Sequence, residues 1–157
     1  MVGGGVLDCF NKGQKLDEEL FVRWAQANAL MPMMQISIAT WRVLNKENSK
    51  LVIDAVNLHT KFADKFYKLA KNSAKIGEPI VKHMAYAFPD EGFETVQDQF
   101  VLGDDIIVAP VLEKGAKSRK VILPDGKWKD SAGNIYDGNT VIDIPVTIES
   151  IPYFTRN

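Results

Sequence analysis

Residues 99–111, QFVLGDDIIVAPV, constrain this chain more than any other stretch. They contain its densest apolar run, Ile106-Ile107-Val108-Ala109, entered through an acidic turn at Gly103-Asp104-Asp105 and closed by Pro110. Four consecutive small or β-branched apolar residues between turn formers predict a strand buried on both faces. Helical spacing dominates before this strand, and a strand-and-turn rhythm follows it. The stretch therefore reads as the joint between an α/β part and an all-β part.

At 157 residues the chain suits one domain plus a second small one. A 46% apolar and 25% charged composition is that of a globular protein rather than a disordered or fibrous one. The formal net charge of −1 offers no general attraction for nucleic acid or anionic lipid. No apolar run approaches the roughly 18 residues of a spanning helix, and no signal peptide is visible. The single Cys9 excludes an internal disulfide framework and a multi-cysteine zinc site.

The opening Met1-Val2-Gly3-Gly4-Gly5-Val6 has no strand before it and no Lys-Ser/Thr after it. It lacks the parts of a phosphate loop and reads as a turn where backbone passes close to something. Met1 is expected to be an internal methionine of a longer chain. Asp17 is the expected N-cap of a helix running to about Met31, with Glu18 and Glu19 at its positive end. Leu20, Trp24, Ala27 and Met31 give it one apolar face. Pro32 ends it.

Residues 33–38, MMQISI, predict a short strand with Met34, Ile36 and Ile38 on one side and Gln35 and Ser37 on the other. Two polar residues in so apolar a strand fit a lined cavity or a half-exposed edge strand equally well. A loop with Trp41 and Arg42 leads to a long helix from Ser49, with Val52, Val56, His59, Ala63, Phe66 and Ala70 on its apolar stripe. Gly77 is its expected carboxy-terminal cap and Pro79 lies beyond. His59 reads as a packed histidine rather than a ligand. Helix, strand and helix look like consecutive pieces of a βα repeat, too few to close a sheet or barrel alone.

Beyond residue 79 the chain is strand-rich. Residues 79–86 read as extended, residues 97–102 as a connector, and residues 119–123 as a strand pairing back on 106–109. Pro124-Asp125-Gly126, Ala132-Gly133 and Asp137-Gly138 supply turns, with Trp128 and Tyr136 flanking the second. Residues 140–146 alternate, and 151–154 close the chain. This spacing predicts a small antiparallel sandwich.

No catalytic set is visible in these residues. Asp104-Asp105, Asp90-Glu91 and Glu18-Glu19 are adjacent pairs at turns or a helix start, where solvated or capping carboxylates belong. No serine sits in a nucleophile elbow. Nothing brings Cys9 to His59 or His83, and the two histidines make no metal spacing.

The run Glu19-Leu20-Phe21-Val22-Arg23-Trp24-Ala25-Gln26, followed by Met31-Pro32-Met33-Met34, nevertheless resembles a signature of glycoside hydrolase family 31. Gly77-Glu78-Pro79-Ile80, Phe88-Pro89, Gln99-Phe100, Leu102-Gly103, Val108-Ala109-Pro110-Val111, Leu123-Pro124-Asp125-Gly126 with Trp128, and Ile151-Pro152 continue the resemblance in the family's order. The residues MQ.SI..WR resemble the animal myogenesis-regulating branch of that family, which leans toward α-galactosides.

The resemblance implies an α/β plus all-β chain: the end of a (β/α)8 TIM barrel over residues 1–78, then a proximal antiparallel β-sandwich domain over residues 79–157. It implies retaining hydrolysis of α-glucosides or α-galactosides by two aspartates, both upstream of Met1. No catalytic residue falls in this chain, and no cofactor or metal is expected. The partner implied is a carbohydrate, with no role for nucleic acid; compartment and membrane association of the parent stay open. Many α-glucosidases of the family carry Arg and His on the last barrel strand where this chain has Gln35 and Ser37. Those two residues and Trp41 are the expected substrate contacts. The competing reading is a catalytically silent relative serving as a carbohydrate-binding or chaperone-partner subunit. The chain by itself is expected to aggregate through exposed Leu20, Trp24, Val52, Val56 and Phe66.

Overall fold

A computed structural model describes residues 2–3 and 16–157; Cys9 and Gly4-Gly5 lie outside them. Helices come first: α1 (Glu18–Asn28), a 3-10 turn (Thr40–Arg42), α2 (Lys46–Lys61) and α3 (Ala63–Ile76). Then follow β1 (Val81–His83), the short α4 (Met84–Ala87), β2 (Phe100–Leu102), β3 (Ile106–Val108), β4 (Ser118–Leu123), β5 (Lys127–Asp130), β6 (Ile135–Asp137), β7 (Thr140–Pro145) and β8 (Tyr153–Arg156). Among the described residues no helix is long and apolar enough to cross a membrane.

The strands form a six-stranded sheet in the order β1-β2-β3-β8-β5-β6 and a separate ribbon of β4 and β7, all antiparallel. β3 is buried throughout, as its unbroken apolar run requires. Ile107 joins Val101, Phe154 and Trp128 in the core shared with Val121 and Leu123 of the ribbon. Ile106 and Val108 point the other way, to Leu102, Leu30 and Phe66. Opposite faces of one strand thus serve the sandwich core and the helical layer.

Residues 97–102, expected as a connector, instead contribute β2. It pairs with β3 across the Gly103–Asp105 turn, so residues 99–111 form a hairpin rather than a lone strand. The acidic turn is clamped by lysines: Lys82 Nζ lies 2.6 Å from Asp104 and Lys65 Nζ 2.5 Å from Asp105. Its carboxylates brace the turn; the sequence placed them at a turn but gave no sign of the two lysines.

β4 pairs with β7, not with β3. Its edge is sealed by Gln99, whose amide donates to the Ile122 carbonyl at 2.9 Å and accepts from the Ile122 amide at 2.8 Å. Arg119 Nε bonds the Pro110 carbonyl at 3.1 Å. Side chains therefore stand where a neighbouring strand was expected. Residues 79–86 are likewise not wholly extended, because β1 gives way to α4, capped by the His83 ring accepting from Ala85 N.

Asp17 caps α1, accepting from Leu20 N at 3.2 Å. The buried face of α1 is not the expected one. Phe21, Val22 and Ala25 are buried, while Leu20 is 60% and Trp24 37% exposed. Arg23 and Gln26 go inside with them because each has a partner. Arg23 Nη1 donates to Gln26 Oε1 at 3.1 Å, and Gln26 Nε2 donates to the Ile148 carbonyl at 2.6 Å. Glu19 lies 3.6 Å from Arg23 and accepts from Gly115 N at 2.8 Å. This relay fastens α1 to the strand-rich half.

The expected single helix from Ser49 is two helices that break at Phe62, and it begins at an Asn45 cap. Ser49 is unavailable as a cap: its hydroxyl is 2.8 Å from that of Thr40. Val52 and Phe66 are buried as expected; Val56, Ala63 and Ala70 are exposed, and Ala55, Leu58, Phe62 and Leu69 take their places. Val52 and Phe66 accordingly leave the list of exposed apolar residues. His59 is structural, its Nδ1 3.1 Å from the Ala29 carbonyl and its ring 4.8 Å from that of Phe66. Gly77 ends α3 in the left-handed conformation, φ 79°, donating to Ser73 O.

Asp130 organises the β5–β6 turn. Its carboxylate accepts from the amides of Ala132 and Asn134, from Asn134 Nδ2 and from the Tyr136 hydroxyl, at 2.9, 2.9, 2.9 and 3.1 Å. Burial opposes ionisation, but these four bonds outweigh it and hold the carboxyl below its ordinary pKa. Burial and the Asp130 bond raise the Tyr136 phenol. Since Asp130 binds protons more weakly folded than unfolded, its contribution is present above about pH 3.9 and is lost as acid drives the pH through the lower folded value. Tyr136 has the opposite sign: its contribution holds below about pH 10 and is lost as the pH rises through the raised folded value. Chemical denaturation of the parent and Asp130→Asn should show a smaller difference in stability at pH 2 than at pH 6. An unchanged difference would count against this assignment.

Candidate functional site

Val2 is the only described residue beside the 33–38 segment in a ladder, and it pairs in parallel with Ile36. Val2 N donates to Gln35 O at 2.8 Å, and Ser37 N donates to Val2 O at 2.9 Å. The expected strand is thus reduced to one bridge, but its alternation holds. Gln35 and Ser37 are exposed, while Met34, Ile36 and Ile38 pack against the Phe21–Val22–Val52 cluster. Gly3 explains part of the glycine run: at φ 73°, a Cβ there would sit 2.7 Å from the Phe21 ring and 2.9 Å from Ile38 Cγ2. A side chain would not fit that approach.

The 3-10 turn places Trp41 beyond the segment, and the Thr40–Ser49 hydroxyl pair ties the turn to α2. Nothing in the local pattern signals this bond, and sequence reasoning missed it. Glu18 adds a second tie, accepting from Asn45 N at 2.9 Å and Asn48 Nδ2 at 2.8 Å. Trp41 is 80% exposed and is not packed beneath α2. It divides two depressions. One, of about 370 Å³, is lined by Ser37, Thr40, Trp41, Val52, Ile53 and Val56. The other, of about 650 Å³, is lined by Trp41, Leu44, Lys46, Ser49, Lys50 and Ile53.

Ser37 and Trp41 thus share a wall, whereas Gln35 lies outside that depression. Ser37 Oγ donates to the Val2 carbonyl at 2.9 Å, which leaves its lone pairs as acceptors. Lys50 is held charged by Asp54 at 2.8 Å, which raises its pKa. An exposed indole between shallow apolar walls, with a serine acceptor and an amide nearby, can bind a ring bearing hydroxyls. Among the residues lining the two depressions Glu47 is the sole carboxylate, so they offer no carboxylate pair for glycoside cleavage. Among the described residues no group of histidines, cysteines or carboxylates could hold a metal ion.

The architecture is one found within solved glycoside hydrolases. Over 88% of its length the chain superposes on a family 31 α-xylosidase from a soil metagenome, solved with xylose, with a TM-score of 0.79 and 28% identity, covering 25% of that chain. Residues 77–157 match the glycosyl hydrolase family 31 C-terminal domain. The chain belongs to glycosyl hydrolase family 31. Over 99% of its length it is 34% identical to mouse myogenesis-regulating glycosidase and 30% identical to the SITS-binding protein of Tetronarce californica. It spans 23% of the length of each of those relatives.

Proposed function

We propose that the chain is the C-terminal part of a retaining α-glycosidase acting on α-glucosides or α-galactosides. Residues 1–78 close a (β/α)8 barrel and residues 79–157 form its proximal sandwich. The observation that carries this reading, given the family, is the parallel pairing of Val2 with Ile36 beside exposed Gln35 and Ser37. Parallel neighbours are what barrel strands need, and barrel active sites lie at carboxy-terminal strand ends. Gln35 and Ser37 then meet sugar hydroxyls, and Trp41 stacks on a sugar face. The catalytic aspartates are supplied from outside these residues.

The 157-residue chain should not turn over a nitrophenyl α-glycoside. In the full-length protein, Trp41→Ala should raise KM by about tenfold, or roughly 1.4 kcal/mol of binding, with kcat changed less. Unaltered KM and kcat would remove Trp41 from the site. The competing reading is a silent relative that binds without cleaving. It draws support from the 30% identical relative whose name records binding rather than hydrolysis. Lack of turnover by the full-length protein on both α-glucoside and α-galactoside would favour it.

A further inference from the structure

A second cleft, of about 420 Å³, opens between the β5–β6 turn and the β7–β8 loop and shares no lining residue with the Trp41 depressions. That volume falls in the usual range of small-ligand sites, about 300–1,000 Å³. Both rims are braced before any ligand arrives. On one side the four bonds to Asp130 fix Asn134 and Tyr136. Tyr136 is held further by an edge-on contact with Phe154, ring centroids 5.8 Å apart. On the other side Ser150 Oγ accepts from Thr147 N at 2.9 Å and Thr147 Oγ1 accepts from Glu149 N at 3.2 Å.

This bracing leaves specific groups unspent among the described residues. The Asn134 side-chain oxygen accepts no bond, and the Ser150 hydroxyl donates none. The Glu149 carboxylate is exposed at the rim. The ring side chains of Pro145, Pro152 and Tyr153 line the cleft together with Ile151. No lysine or arginine lines the cleft, and Lys50, whose charge acts on Glu149 from outside it, is already paired with Asp54, so an anion would meet two carboxylates. A metal ion fares no better, because the lone pairs of Asp130 are engaged by hydrogen-bond donors. What remains is a neutral ring with hydroxyls on its edge and C–H groups on its face.

We infer that this cleft is a saccharide-binding site on the sandwich, separate from the Trp41 depressions, in which Asn134, Glu149 and Ser150 bond ring hydroxyls. It binds without reaction, since the Asp130 carboxylate is engaged by four hydrogen-bond donors and Glu149 is left without a partner acid. The inference stands whether or not the parent cleaves glycosides.

The test is hydrogen–deuterium exchange on the protein at its full expressed length, titrated with isomaltotriose and with methyl α-galactoside. Peptides spanning residues 130–137 and 147–154 should exchange more slowly as at least one sugar saturates. E149Q, at the rim, should weaken that protection about tenfold while leaving the melting temperature unchanged; N134A should weaken it likewise and lower the melting temperature, because it also removes one of the four bonds to Asp130. W41A should leave it intact. Absence of protection in both peptides overturns the inference, as does protection unmoved by N134A and E149Q, or protection abolished by W41A.

Discussion

Replacing Trp128 by alanine is expected to cost about 3–5 kcal/mol, the range of buried aromatic truncations. The side chain is fully buried. Its indole Nε1 donates to the Pro124 carbonyl at 2.9 Å, and its ring meets Phe88 edge-on at 6.2 Å. Arg156 lies over it with Cζ 5.5 Å from the ring centroid. Truncation leaves a cavity between sheet and ribbon and orphans a carbonyl. Trp128→Phe should recover most of the packing but not the hydrogen bond, and so lie between the two. Urea denaturation monitored by circular dichroism will rank the three proteins. Equal midpoints for wild type and alanine variant would show that the sandwich core is not where the stability lies.

Gly138→Ala is expected to be as damaging for a different reason. A Cβ at Gly138 would stand 2.0 Å from the Pro124 carbonyl oxygen, 2.8 Å from Gly126 O and 2.9 Å from Gly126 N. All three are backbone atoms, so no side-chain rotation relieves the overlap. Gly138 N also donates to Gly126 O at 2.7 Å, which locks the two turns together. The turn must open to admit a methyl group, and a loss of about 3 kcal/mol or more follows, at the upper end of overpacking costs. Gly133→Ala provides the comparison. Its φ of 94° is strained for alanine, but its Cβ would meet nothing within 4 Å. The Gly138 variant should melt lower than the Gly133 variant, and the reverse order would contradict the crowding argument.

Both positions lie where the chain announces turns, and those turns were legible. So was β3, because only burial on two faces explains four apolar residues in a row. The Gly77 cap and the structural role of His59 could also be read directly. The face of α1 could not. Leu20-Trp24 and Phe21-Ala25 have the same spacing of four, so periodicity supplied two stripes and no means of choosing. The buried stripe runs beside Arg23 and Gln26, whose partners Glu19 and Ile148 include one 122 residues away. The break at Phe62 carries no proline or glycine to announce it. Pairing of β4 with β7 is non-local, and the side chains of Gln99 and Arg119 occupy the edge where local reasoning placed β3. At the proposed site, alternation gave the exposure of Gln35 and Ser37. The bond from Ser37 to Val2 spans 35 residues and left no local trace.

The double-sided burial of β3 bears on where this protein can be cut. The family match begins at residue 77, just past α3. Yet Leu102, Ile106 and Val108 are roofed by Phe66 and Leu30, residues before that boundary. A fragment beginning at residue 77 would carry its sandwich core intact and present the other face of β3 to water. The matched domain is therefore smaller than the unit these contacts hold together. Heating should unfold helices and sheet in one step, with the hairpin at residues 99–111 acting as their common hinge pin.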